Sequence, residues 1–220
     1  MRKLLLSSVI LGILMLGAMT VLAVEPLLID GFEGPITPAG ITSGSMSGNV
    51  DYGAGGGASV EVYADNAEKV EGKQSLKVVF FAMPGGWIWV ARGYNIDVKG
   101  AGAWAVKPQD IKWDQYNAFG FWMKGTNSGK QLALDIIDAK KEYFRYMVKD
   151  DSDQWKQVIV PFKSFEVRTD WQPNNAVKNK VIDFPIMTYQ FEPRPKNEGE
   201  WNFDKVELLN VKEEAPAKTK

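Results

Sequence analysis

The sequence predicts an all-β protein, a sandwich or barrel of short strands, and two observations carry that prediction. Stretches of five to ten residues rich in Val, Ile, Phe, Tyr and Trp alternate with turn residues along most of the chain. No apolar spacing of three and four persists for a dozen residues, so no amphipathic helix is indicated.

The strand-like segments can be taken in order. Leu27–Ile29 opens the series. From Gly40 to Ser59 the chain is rich in Gly and Ser, and Gly55-Gly56-Gly57 argues for a loop or an irregular edge. Ser59–Tyr63 alternates weakly, and Ser75–Ala82 is a clear strand. In Trp87–Arg92, Ile88 and Val90 face one way while Trp87 and Trp89 face the other. Ala118–Lys124 places Phe119, Phe121 and Met123 on one face, and Gln131–Asp138 does the same with Leu132, Leu134 and Ile136. In Glu142–Val148, Phe144, Tyr146 and Val148 oppose Tyr143, Arg145 and Met147. Trp155–Val160 ends at Pro161, which has no amide to give to a ladder. Val181–Phe191 and Trp201–Leu209 complete the set. The last residues, 212–220, are poor in apolar side chains and are expected to be disordered.

The N-terminus reads as a signal peptide covering residues 1–23. Arg2 and Lys3 precede an apolar run to about Leu22, and Val21-Leu22-Ala23 offers small residues at a cleavage site. A retained membrane anchor is the alternative, because the run is close to spanning length. Cleavage implies a secreted, cell-surface or periplasmic protein, with no membrane contact afterwards and one domain from residue 24 to 211. The net charge is −1, which supplies no footprint for nucleic acid or anionic lipid.

Two absences narrow the chemistry. The chain has no Cys and no His. That removes disulfides, thiol nucleophiles, Ser-His-Asp triads and imidazole metal sites. Carboxylates, hard-cation sites and aromatic contacts remain. A glycosidase would need two carboxylates at a set separation. Asp135 and Asp138 fall on opposite faces of one strand, and Glu142 and Asp150–Asp153 read as solvated turns, so a glycoside hydrolase is a remote alternative and the chain reads as non-catalytic.

The aromatic residues point elsewhere. An indole covers the C–H face of a pyranose, and Arg, Asp and Gln serve its hydroxyl rim. Trp171 lies in a polar stretch, Arg168-Thr169-Asp170-Trp171-Gln172, where a core position is hard to justify. Trp87 and Trp89 oppose an apolar pair and so line the outer face. Tyr143 and Arg145 share a face away from Phe144. Arg168 and Asp170, two apart, can pair with each other or reach one ligand together. Trp122, Trp155 and Trp201 sit beside apolar strands and read as core.

WKQVIVPFKSF (Trp155–Phe165), RTDWQP (Arg168–Pro173) and EWNFDKVELLN (Glu200–Asn210) resemble family-eleven carbohydrate-binding modules. LLIDGFEG (Leu27–Gly34), EGKQSLKV (Glu71–Val78) and FGFWMKG (Phe119–Gly125) agree more loosely. The resemblance implies a jelly roll of two antiparallel sheets in the galactose-binding-like group, holding a β-glucan in a concave groove. It implies ligand contacts at Trp87 (after Gly86), Arg168, Asp170 and Trp171. In the next groove strand the family's Asp, His and Tyr are replaced by Met187, Gln190 and Pro193; Gln190 keeps hydrogen-bonding capacity. It also implies a structural calcium between the first and last strands, on Glu33 and Asp204 with carbonyls from Glu71 to Lys73, in keeping with calcium's preference for oxygen. The partners implied are a polysaccharide and, since such modules ride on hydrolases, a glycoside hydrolase or another surface protein. A structural or adhesive protein that uses the same fold without sugar is the competing reading.

Overall fold

The computed structural model describes residues 24–36, 50–94 and 104–212. The signal peptide and the C-terminal tail read from the sequence lie outside them. The described residues form two antiparallel six-stranded sheets packed face to face.

The first sheet holds β1 (Leu27–Asp30), β3 (Ser59–Asp65), β4 (Ser75–Ala82), β6 (Ala118–Lys124), β9 (Lys156–Pro161) and β12 (Asn197–Leu209). Its order is β3-β4-β12-β6-β9, with β1 added to β12. The second holds β2 (Asp51–Gly55), β5 (Trp87–Gly93), β7 (Gln131–Ile137), β8 (Tyr143–Lys149), β10 (Glu166–Val167) and β11 (Thr188–Pro193), in the order β10-β8-β7-β11-β5-β2. Apart from β3–β4 and β7–β8, neighbours in each sheet are not consecutive in sequence, as in a jelly roll.

The core is the alternation carried through. Phe119 and Phe121 of β6, with Phe203 of β12, meet Tyr189 and Phe191 of β11, and Phe191 stacks on Phe203 with centroids 3.9 Å apart. Trp201 is buried, as expected, and packs on Phe80. Trp122 and Trp155, read from the sequence as core, are only half-buried.

One charged group crosses this core. Arg92 of β5 donates to Asp30 at the end of β1 through Nε (2.6 Å) and Nη2 (2.7 Å), and the Tyr189 hydroxyl donates to the same carboxylate at 2.8 Å. All three are buried, and the pair ties one sheet to the other. A buried ion pair holds where its remaining donors and acceptors are met.

Three further expectations are corrected. Part of the glycine-rich stretch is a strand, β2, paired along its length with β5; its residues 40–49 lie outside the described part. The run 181–191 contains a strand only from Thr188, since Pro185 before it has no amide to give to a ladder. Glu142 and Asp150 are buried rather than solvated. Glu142 accepts the amides of Asn179 and Lys180, and Asp150 accepts from Thr126, Asn127, Ser128 and the Trp201 indole. A short buried carboxylate that gathers backbone amides fixes a turn that has no other partner for them.

Candidate functional site

The second sheet turns one face outward. Alternation puts Ile88, Val90 and Arg92 of β5 inside and Trp87, Trp89 and Ala91 outside; on β8, Phe144 and Val148 go in while Tyr143, Arg145 and Met147 go out. The ladder pairings draw one straight outer row across all six strands: Asp51, Ala91, Gln190, Asp135, Arg145 and Glu166. Six strands at their usual spacing make this face roughly 24 Å wide.

The indole pair lies on one side of that row. Trp87 is 54% exposed. Gly55 stands directly opposite Trp87 on β2, and Gly53 opposite Trp89. The Trp89 Nε1 donates to Asp51 at 3.3 Å.

Tyr143 and Trp171 lie on the other side, since Tyr143 follows the pairing Gly93–Thr188–Ile137–Tyr143. Trp171 is 51% exposed and meets the Tyr143 ring edge-on at 5.2 Å. The Arg168 guanidinium lies over both rings, 5.5 Å from Trp171 and 5.9 Å from Tyr143. Such contacts fix an exposed indole from the side.

Between the aromatic ends the floor is paved with charge. Asp135, fully buried, accepts from Arg145 Nε (2.7 Å) and Nη2 (2.8 Å) and from Arg168 Nη1 (3.0 Å). Glu192 accepts from Arg145 Nη2 at 2.7 Å, lies 3.1 Å from Arg168 Nη1, and also takes Arg194. Asp170 accepts from Arg168 Nε at 2.8 Å and Arg145 Nη1 at 3.3 Å. Three carboxylates balance three guanidiniums. Gln190 is buried beside Glu192, 3.5 Å from it.

The titration of these groups follows their surroundings. Burial alone would lower the Arg145 pKa, but the bonds and charge of Asp135, then Glu192 and Asp170, push it up. Burial raises the Glu192 carboxyl above its ordinary range despite the arginines. Burial also works to raise Asp170, but there the Arg168 hydrogen bond and the charges of Arg168, Arg145 and Arg194 prevail and hold it low.

Every sugar-contact residue read from the sequence therefore stands on or beside one face: Trp87, Trp89, Tyr143, Arg145, Arg168, Asp170, Trp171 and Gln190. The accessible ones are the indoles, Tyr143 and Asp170; the arginines present only about a tenth of their side chains, 12% for Arg145 and 10% for Arg168. Sequence reasoning missed Asp135 and Glu192, whose meaning depends on neighbours in other strands, and it missed Gly53 and Gly55.

The expected calcium set is arranged differently. Glu33 and Asp204 do reach the 70–73 loop from the first and last strands. They meet amides there instead of carbonyls: Lys73 N donates to Glu33 at 2.8 Å, and Val70 N and Glu71 N donate to Asp204 at 2.7 and 3.2 Å. The Gln74 Nε2 takes the Phe32 and Gly34 carbonyls at 2.6 and 2.8 Å. Carboxylates met by N–H donors, beside carbonyls already engaged, do not fit a calcium ion, which needs those oxygens free. Among the described residues no group of three or more Asp or Glu is placed to hold a metal.

Comparison with known proteins bears on the fold and the family. A family 11 carbohydrate-binding module from Clostridium thermocellum, solved in complex with a β-1,3-1,4-mixed-linked tetrasaccharide, superposes with a TM-score of 0.66 at 20% identity, over 87% of this chain and 99% of that one. The family 11 module of the cellulosomal cellulase Lic26A-Cel5E of the same organism gives 0.64 at 19% identity, over 87% and 98%. A family 30 module of another C. thermocellum cellulosomal cellulase gives 0.55 at 13% identity, over 85% and 98%. At such identities the superpositions establish a shared fold. A search of curated proteins found no match. The model of the carbohydrate binding domain, family 11, matches residues 22–211, nearly the whole chain, and by that match the chain belongs to this family of carbohydrate-binding domains.

Proposed function

We propose that this protein is an exported, non-catalytic module that holds a β-glucan against the outer face of its second sheet. One observation carries the reading: the two indoles most open to water on this sheet, Trp87 and Trp171, stand on the same face at opposite ends of a satisfied polar floor. The family's structural relative binds a β-1,3-1,4-linked tetrasaccharide, which supports that ligand class here.

The geometry gives the ligand a minimum length. Trp89 and Tyr143 lie three strands apart and on opposite sides of the central row, so a chain touching both crosses the sheet diagonally over roughly 20 Å. Short oligosaccharides reach one end only. Stacking on one indole hides about 60 Å² of apolar surface, worth ~1.5 kcal/mol; two or three such contacts, after association costs, give roughly micromolar to millimolar binding. Export is supported by the basic, apolar N-terminus. Among the described residues no helix is long and apolar enough to cross a membrane.

The test is affinity electrophoresis and calorimetry with soluble mixed-linkage β-glucan. Wild type is retarded, affinity rises with oligosaccharide length, and Trp171→Ala loses about tenfold in affinity, the equivalent of ~1.4 kcal/mol, with its melting temperature held. Migration of the wild type unchanged by any of a broad panel of glycans would overturn the reading.

A further inference from the structure

The two glycines under the indole pair have a role that their backbone does not require. Gly53 and Gly55 lie in the regular part of β2, and neither has the left-handed φ that demands glycine, in contrast to Gly56 at +64° and Gly57 at +85°. In a strand such residues weaken the element and usually mark a close approach. The approach here is by the indoles. A Cβ on Gly55 would lie 2.3 Å from Cζ2 and 2.5 Å from Cε2 of Trp87. A Cβ on Gly53 would lie 2.3 Å from both Cη2 and Cζ2 of Trp89. Each ring thus lies down across the edge strand, in the space where its cross-strand partner's side chain would stand.

We infer that Gly53 and Gly55 are positioning residues for sugar binding: together they form a slot that lays Trp87 and Trp89 flat on the sheet with one face covered by backbone and the other turned to solvent. The inference rests on the sugar-binding face proposed above and adds to it a determinant that touches no ligand. Two neighbouring positions on one side of a strand are about 6.8 Å apart, so the two recumbent rings make a continuous apolar floor parallel to the sheet. A side chain at either glycine lifts its indole onto an edge. The ring remains present and exposed, but its face no longer meets a sugar that lies along the floor. Asp51, next on the same side of β2, accepts the Trp89 indole N–H and sets that ring's rotation within the slot.

The experiment uses the full chain with Gly53→Ala, Gly55→Ala, Trp87→Ala and Gly55→Ala combined with Trp87→Ala. Binding of the β-1,3-1,4-linked tetrasaccharide and of the soluble polymer is read by calorimetry. Ring placement is read without ligand by fluorine NMR of 5-fluorotryptophan-labelled protein, the resonances being assigned through Trp87→Ala and Trp89→Ala. Gly55→Ala is expected to move the Trp87 resonance, leave distant tryptophans in place and weaken polymer binding about fivefold, at a melting temperature within a few degrees of wild type. In the Trp87→Ala background the same glycine change should cost nothing more, as required if it acts through that ring. Gly53→Ala should act in the same way on Trp89, which keeps the test open should one variant fold poorly. Unmoved resonances, or an equal loss of affinity with Trp87 absent, would overturn the inference. A wild type that binds no glucan would instead overturn the functional reading, while the fluorine spectra would still decide whether the glycines set the rings.

Discussion

The two ends of the outer face hold their aromatic rings by different physics. At the β2–β5 end, Trp87 and Trp89 are placed by room: glycines opposite them leave a space of the right shape. At the β8–β10 end, Trp171 is placed by charge, through Arg168, which is itself held by Asp135, Glu192 and Asp170. The first end is shaped mainly by packing, with one carboxylate contact from Asp51 to Trp89, and should depend on acid less than the second. The second depends on the charges of Glu192 and Asp170, so one surface combines a passive and a conditional half.

The strongest way to break this contrast is Asp135→Asn. It leaves Arg145 and Arg168 short of the carboxylate they share, and losing one partner of a buried ion pair costs about 3–5 kcal/mol. The melting temperature should fall by roughly 10 °C for a domain of this size, and the fluorine signal of Trp171 should move while those of Trp87 and Trp89 stay. Equal movement at both ends would dissolve the distinction.

Acid sharpens it with a smaller effect. As pH falls, Glu192 takes its proton first, above the ordinary glutamate range, because burial raises it. A raised carboxyl binds its proton more readily folded than unfolded, so this step does not cost the fold, yet it removes one anchor from Arg145, Arg168 and Arg194. Asp170, held low by the arginines against burial, contributes stability that is present above its unfolded pKa and lost as pH falls through its depressed folded value. Glucan affinity should therefore begin to decline in the upper window and melting temperature only in the lower, in scans of both from pH 7 to pH 2. In Trp171→Ala the affinity decline should largely vanish, because the indole end remains. Coincident loss of affinity and stability would count against separate roles.

The smallest effect is expected at a third place, far from both ends. Since Glu33 and Asp204 are satisfied by amides of the 70–73 loop, neither added calcium nor a chelator should shift the melting temperature by more than about a degree. A calcium-dependent rise would show that the loop turns its carbonyls inward to take the ion, since a ligand of the native state adds stability by linkage.

Much of this was legible in the chain. Ser75–Ala82 and Ala118–Lys124 are the observed strands to the residue, because apolar alternation and turn residues agree there. The outward sense of Trp87 and Trp89, and of Tyr143 and Arg145, followed from the same alternation. Arg168 and Asp170 were readable as a pair because they are two apart. Strand β2 was not legible: its glycines look like a loop until the rings that fill their space are known. Asp135 and Glu192 were hidden for a related reason. A carboxylate among apolar residues declares nothing until the arginines of other strands are laid beside it.

The Arg92–Asp30 contact has a further consequence for this surface. Strand β5 could in principle slide by one position against its neighbours, which would exchange its two faces. That slip would strand a guanidinium outside and drive both indoles into the hydrocarbon interior, and Asp30 would stay buried without its cation, keeping only the Tyr189 hydroxyl and the Phe32 amide. The contact thus makes the misaligned register costly, and so favours the one in which both indoles are offered to the outside world.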